Sequence, residues 1–197
     1  MSHFFAMLSR MKYIDRWGLM RNTRRENLCE HSFETAVIAH ALAVLRNTRF
    51  GGNVSPERAA VLALFHDAPE ILTGDLPTPV KYYNPEIRGA YREVELAAER
   101  KLLHMLPQDM RSSYAPLLCE GEEDAELRRL VKAADKLSAL IKCAEERGMG
   151  NTEFSKAELS LRRAVQEMHL PEADCFLEEF LPSYALTLDD TSVEVGP

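Results

Sequence analysis

The chain has 197 residues, 46% hydrophobic and 28% charged, which is ordinary composition for a soluble protein and enough length for one domain with a real core. Its formal net charge of −7 excludes a general nucleic-acid binder, which carries a basic excess. Four scattered cysteines (Cys29, Cys119, Cys143, Cys175) read as reduced thiols, and no apolar run approaches the ~20 residues that span a bilayer, so the expectation is a cytoplasmic protein without a membrane segment.

The N-terminal stretch is too polar for a signal-peptide core, because His3, Ser9, Arg10 and Lys12 interrupt it. Within it Phe4, Phe5, Leu8, Met11 and Ile14 recur at helical spacing. A second helix is predicted from about Cys29 to Arg46, through Phe33, Ala36, Val37, His40, Ala41 and Val44, and Gly51-Gly52-Asn53 ends that region. Ser55-Pro56-Glu57 reads as N-cap, first-turn proline and first-turn acid of a helix that carries His66-Asp67, and Pro69 ends or kinks it. The stretch Thr73 to Pro79 is a loop by its turn chemistry. Asn84-Pro85-Glu86 opens a helix to about Met105, and another covers roughly Glu123 to Arg147. The last two start at Asn151-Thr152-Glu153 and Pro171-Glu172, and the acidic tail from Thr187 is expected to be loose. The expected fold is all-α, a single-domain helical bundle over residues 1–197.

The residues that carry chemistry are few. His66-Asp67 ends the apolar run Ala59 to Phe65, where an imidazole and a carboxylate are costly to desolvate without a partner. Together those groups suit a divalent metal. On an ideal helix Glu70 falls about 40° from His66 and Asp67 about 100°, so all three share one side. His31 precedes the apolar face of the second helix and points inward, whereas His40, nine residues on, lies half a turn away and reads as a core or surface histidine. Asp135 borders the buried stripe of its helix and pairs either with such a site or with Lys132 or Lys136. Arg16 stands in a basic run and precedes Trp17, the only tryptophan. That pair suits a phosphorylated, ring-bearing ligand, with a solvated face and a core anchor as the plain alternatives.

His31, the pair His66-Asp67 and the distant Asp135 together resemble the signature of the HD-domain metal-dependent phosphohydrolases. The segments Ser2 to Ala6, Arg16-Trp17, Leu19 to Asn22, Glu30-His31-Ser32, Phe50 to Val54, Gly74 to Tyr82 and Ser183 to Asp189 are similar to the bacterial YfbR-type 5'-deoxynucleotidases, so the resemblance covers nearly the whole chain. Pro69 departs from it, standing where the enterobacterial pattern has serine. The resemblance implies hydrolysis of deoxyribonucleoside 5'-monophosphates to deoxyribonucleoside and phosphate. It implies one divalent ion, cobalt or manganese, on His31, His66, Asp67 and Asp135. It also implies Glu70 as general acid/base, Arg16 on the phosphate, Trp17 against a ribose 2'-hydroxyl, and Asp75, Leu76, Pro77 and Thr78 lining the pocket. His31, Asp67 and Asp135 would face the substrate as well, and family members form homodimers. Two alternatives stand beside this expectation. One is an HD phosphohydrolase of a triphosphate or cyclic dinucleotide, needing more converging cations from Arg21, Arg24, Arg25 or Lys81. The other is a nucleotide-binding regulator without catalysis.

Overall fold

A computed structural model describes residues 1–81, 83–119 and 121–191, apart from the side chain of Thr78. The fold is all-α, and the one extended pairing among the described residues is a bridge between Asp15 and Asn27. Helix α1 (Phe4–Leu8) tightens into a 3-10 turn, Ser9–Tyr13. Helix α2 (Leu28–Arg49) starts on a capping box: the Asn27 side chain accepts from the Cys29 and Glu30 amides, and Glu30 reaches back to the Asn27 amide. This fixed start sets the rotation of His31 on the first turns. Helix α3 (Pro56–Phe65) opens as expected, with Ser55 Oγ accepting from the Arg58 amide and proline in the first turn.

Single helical turns α4 (Glu70–Thr73) and α5 (Thr78–Lys81) flank the 74–77 loop, and Gly74, with φ of 74°, supplies the left-handed residue that ends α4. Helix α6 (Pro85–His104) is capped by Asn84. Helix α7 (Gln108–Leu118) is absent from the sequence-based expectation, because Ser112-Ser113 and an internal Pro116 disguise its pattern. Then come α8 (Ala125–Gly148), α9 (Ser155–Gln166), α10 (Pro171–Glu179) and one last turn, α11 (Leu188–Thr191). The tail therefore departs from the expected loose strand as far as it is described: the Thr187 hydroxyl bonds Asp190 and closes that turn, while residues 192–197 lie outside the described part.

Two apolar clusters build the interior. The larger joins α2, α3, α8, α9 and α10 around Leu42, Leu62, Leu130, Leu137 and Leu140. The smaller joins α1, α6 and α7 around Phe4, Leu102, Leu106 and Leu118, and Ala68 is buried in it. Phe65 and Tyr114 pack on both, so the segment between α3 and α4 lies on the seam.

Helix α2 corrects one expectation. Its buried face is Leu28, His31, Thr35, Ile38, Ala39, Leu42 and Leu45, while Phe33 and Val37, on which the helical pattern is read, are 67% and 55% exposed. A helix rich in alanine is apolar on most sides, so its neighbours decide which side is buried. Among the described residues α2 alone is long and apolar enough to cross a membrane, but more than half of that apolar window is buried against the rest of the fold.

Candidate metal centre

Helix α3 stops at Phe65, one residue before His66, so His66 and Asp67 sit in a turn and not on the helix. Pro69 has no amide to bond the Phe65 carbonyl, as the next helical turn would require. The chain tightens to three-residue bonds instead: Ala68 N to Phe65 O at 3.1 Å and Glu70 N to Asp67 O at 2.9 Å. Ala68 plugs the smaller cluster from this turn, which directs His66 and Asp67 toward α2 and α8.

Four side chains from three segments converge there. His31 Nε2 lies 3.1 Å from Asp135 Oδ1 and 3.5 Å from Asp67 Oδ2. His66 Nε2 lies 3.2 Å from Asp67 Oδ2 and 3.9 Å from Asp135 Oδ1. Asp135 thus faces the imidazoles and not Lys132 or Lys136. Bonds of about 2.1 Å to one ion put neighbouring donor atoms roughly 3.0–3.4 Å apart, and the separations here run from 3.1 to 3.9 Å.

The hydrogen bonds behind the rings prepare them as ligands. Ser138 Oγ donates to Glu34 Oε2 at 2.6 Å, so toward His31 Nδ1, 3.0 Å away, it can only accept. His31 Nδ1 is therefore the donor in that pair, which turns Nε2 toward the carboxylates. His66 Nδ1 likewise donates to the Ala63 carbonyl at 2.7 Å, and its buried Nε2 has no hydrogen-bond partner. Two imidazole Nε2 atoms turned toward two carboxylates fit a divalent cation, and His31, His66 and Asp67 on their own already meet the spacing of a metal site.

The electrostatics fit it too. Burial disfavours a charged His66, yet Asp67, Asp135 and the Ala63 carbonyl outweigh burial and push its pKa up to about 9. Burial likewise works against a charged Asp135, but its bonds to His31 and His66 hold it well below the usual carboxylate range. The pocket calls for positive charge.

Around this centre stand the remaining expected residues. Arg16 Nη1 donates to Asp67 Oδ2 at 3.2 Å. Burial opposes the guanidinium charge, and Asp67, Asp135, Glu26 and Asp75 more than offset it. Glu70 lies mostly buried, with Oε2 unpartnered, and burial followed by Asp67 and Asp75 raises its pKa to about 9. Asp75 Oδ2 accepts from the Trp17 amide at 3.3 Å. Leu76 and Pro77 are half-buried beside Asp75, and the Thr78 side chain lies outside the described residues. The Trp17 ring packs 5.3 Å from buried Phe154, as the anchor reading expects, and its backbone amide reaches Asp75. His40 is exposed and takes no part. Arg21, Arg24 and Arg25 are exposed and pair with Glu153, Glu30 and Asp15, which makes them the solvated face of the basic run.

Sequence reasoning missed Glu34, Ser138 and Glu26. Two of them carried a signal, since Glu34 follows His31 and Ser138 follows Asp135 by three residues, on the same helix faces.

The chain matches the family described as 5'-deoxynucleotidase YfbR-like over residues 3–184. It is 51% identical over 193 residues to a 5'-deoxynucleotidase of Erwinia tasmaniensis, covering 98% of each. It is 50% identical over 191 residues to one of Vibrio cholerae, covering 97% of this chain and 98% of that one. Among solved structures it is similar to an HD-domain phosphohydrolase of Listeria innocua, with a TM-score of 0.81 and 26% identity over 92% of this chain and 88% of that one. A cyanophage S-2L HD phosphohydrolase, solved with dA and one catalytic Zn2+ ion, shares the fold at a TM-score of 0.63 and 19% identity over 90% of this chain and 96% of that one. The chain belongs to the YfbR-like family of 5'-deoxynucleotidases, built on the HD-domain fold.

Proposed function

We propose that the chain hydrolyses deoxyribonucleoside 5'-monophosphates, with water, to the deoxyribonucleoside and inorganic phosphate. The observation that carries this reading is the convergence of His31, His66, Asp67 and Asp135, with Arg16 paired to Asp67 and Glu70 a charged neighbour of both. The four would hold one divalent ion, cobalt or manganese, leaving its net charge near zero. Such an ion, when bound, neutralises charge on phosphoryl oxygens and acidifies water at neutral pH.

The protein's own groups do the rest. Arg16 offers the phosphate a planar fork of donors beside Asp67 and fixes the line of attack. Glu70 takes a proton from the attacking water or gives one to the leaving 5'-oxygen. Trp17 walls the sugar and leaves little room for a 2'-hydroxyl, and Asp75 to Thr78 close the nucleotide pocket. A shape-based rejection of one hydroxyl is worth roughly 10- to 100-fold. A triphosphatase is disfavoured, because Arg21, Arg24 and Arg25 turn to surface acids and Lys81 is tied to Glu95. We place the enzyme in the cytoplasm, in keeping with its free thiols, and as a homodimer, for which exposed Phe33 and Val37 offer an apolar contact surface.

The test is phosphate release from dAMP, AMP and 3'-AMP across divalent ions. We expect dAMP to be cleaved with cobalt or manganese and AMP at least about 10-fold less efficiently. Equal cleavage of AMP, or release of pyrophosphate from a triphosphate in preference, overturns the reading.

A further inference from the structure

Trp17 is held in a conformation that needs outside support. Its φ is 60°, the left-handed region that costs a bulky residue about 1–2 kcal/mol. Asp75 accepts its amide, and Phe154 supports its ring from one face. The indole edge is fixed by a third group, Glu26, whose Oε2 accepts the Nε1 proton at 2.9 Å.

Glu26 is only 9% exposed. A carboxylate that desolvated is costly without polar partners. Its partners are the two substrate-facing residues: Oε2 also lies 3.5 Å from Arg16 Nε, and Oε1 lies 3.9 Å from His31 Nδ1. The backbone keeps the group in place, since the Arg16 amide donates to the Glu26 carbonyl at 2.9 Å and the Leu28 amide to the Ile14 carbonyl at 3.0 Å, closing the base of the 14–28 loop. One carboxylate therefore sits between the arginine, the tryptophan and the first imidazole.

We infer that Glu26 is the positioning residue that sets the Trp17 indole, and with it the Arg16 guanidinium, against the nucleotide, so that discrimination of deoxyribose depends on a side chain outside the pocket wall. The inference rests on Trp17 being the sugar-facing wall. Alanine at this position frees the indole edge and lets the ring turn away from the 2'-carbon. Glutamine keeps an oxygen for the indole proton and removes only the charge beside Arg16.

The experiment compares kcat/KM for dAMP and AMP in wild type, E26A, E26Q, W17F and W17A. Cobalt affinity and thermal midpoint are measured for each. E26A is expected to lower the dAMP-to-AMP ratio by about 10-fold with cobalt affinity retained. E26Q is expected to return the ratio toward wild type while raising KM for dAMP, since Arg16 loses a neighbour that orients it. In the W17F background, where no indole proton exists, E26A should leave the ratio where W17F alone put it, as coupled groups require. If E26A does not fold, W17F and E26Q test the same bond from its two ends. An unchanged ratio in W17A sinks the assignment of Trp17 to the sugar. A lowered ratio in W17A with E26A at the wild-type ratio, no recovery in E26Q, or additive effects of E26A and W17F each overturn the role of Glu26 alone.

Discussion

Replacing Ser138 by alanine tests how the centre selects the imidazole form that can bind a cation. The hydroxyl accepts from His31 Nδ1 at 3.0 Å only because its own proton is committed to Glu34. His31 is fully buried, so no water replaces the lost acceptor. In the metal-free protein the ring can move its proton to Nε2 and donate to Asp135 Oδ1, 3.1 Å away. That exchange spares most of the folding free energy. It is incompatible with binding, because Nε2 must then give up its proton and Nδ1–H is left buried without a partner. An orphaned buried donor costs about 1–3 kcal/mol. At about 1.4 kcal/mol per decade this weakens cation binding roughly 5- to 150-fold, in line with the 10- to 100-fold typical of lost partners behind a metal ligand. The assay is titration of metal-stripped protein with cobalt against a chelating dye, with thermal melts of both metal-free proteins. Glu34→Gln, which leaves an oxygen for the Ser138 proton, should show a smaller loss. A cobalt affinity in S138A equal to wild type, or a melting loss that accounts for the whole effect, refutes the reasoning.

Other expectations follow from the same geometry. Glu70→Gln should lower kcat by about 10²- to 10⁴-fold while dAMP binding and cobalt affinity stay at wild type, read by single-turnover kinetics and calorimetry; normal turnover removes Glu70 from the chemistry. A divalent ion at about 100 times its Kd should raise unfolding free energy by about 2.7 kcal/mol, and Asp135→Asn should abolish most of that increment in urea melts. Burial acts against a charged Glu146, but bonds from Lys142, Thr23 and Asn151 outweigh it and hold its pKa far below the carboxylate range. Its contribution is thus present above about pH 4.5 and lost as pH falls below that, so Glu146→Gln should lower the melting temperature at pH 7 and flatten its fall in acid. Leu137→Ala, at a fully buried position between α2 and α8, should cost about 2–5 kcal/mol with an unchanged urea m-value.

The sequence made the candidate centre legible because each of its four residues breaks a local rule. His31 is polar on a buried helix face, Asp135 is an acid at the edge of an apolar stripe, and His66-Asp67 closes an apolar run. Residues that hold the ligands break no such rule. Ser138 and Glu34 are ordinary helix polars until the third dimension sets them behind His31. Glu26 reads as one more charge in a surface run, and only the closed base of the 14–28 loop turns it inward. Helix α2 shows the same limit in its packing, since its alanine-rich sequence leaves the choice between Phe33 and Ile38 as core residue to α3 and α8. Helix α7 was hidden by the reverse effect, a tertiary site on the smaller core overriding serine and proline propensities.

Pro69 joins the local sequence to the site. On an uninterrupted helix Glu70 would stand about 40° from His66 and Asp67 would be the outlying member of the three. The proline removes the amide that a helix needs at that step, and the three-residue bonds that replace it turn the chain about 120° per residue. Asp67 and Glu70 then fall on one edge, and His66 is rotated toward Asp135. The ion pairs agree: Asp67 is the strongest charged neighbour of Glu70, and His66 Nε2 lies between Asp67 and Asp135. The turn therefore divides its three functional groups between two tasks. His66 and Asp67 face the imidazole of α2 and the carboxylate of α8, the cluster proposed to hold a cation. Glu70 is set one turn along, with Asp67 and Asp75 as its acidic neighbours and Arg16 and Lys81 as its basic ones, so the proton transfer proposed for it would leave the proposed ligand set intact.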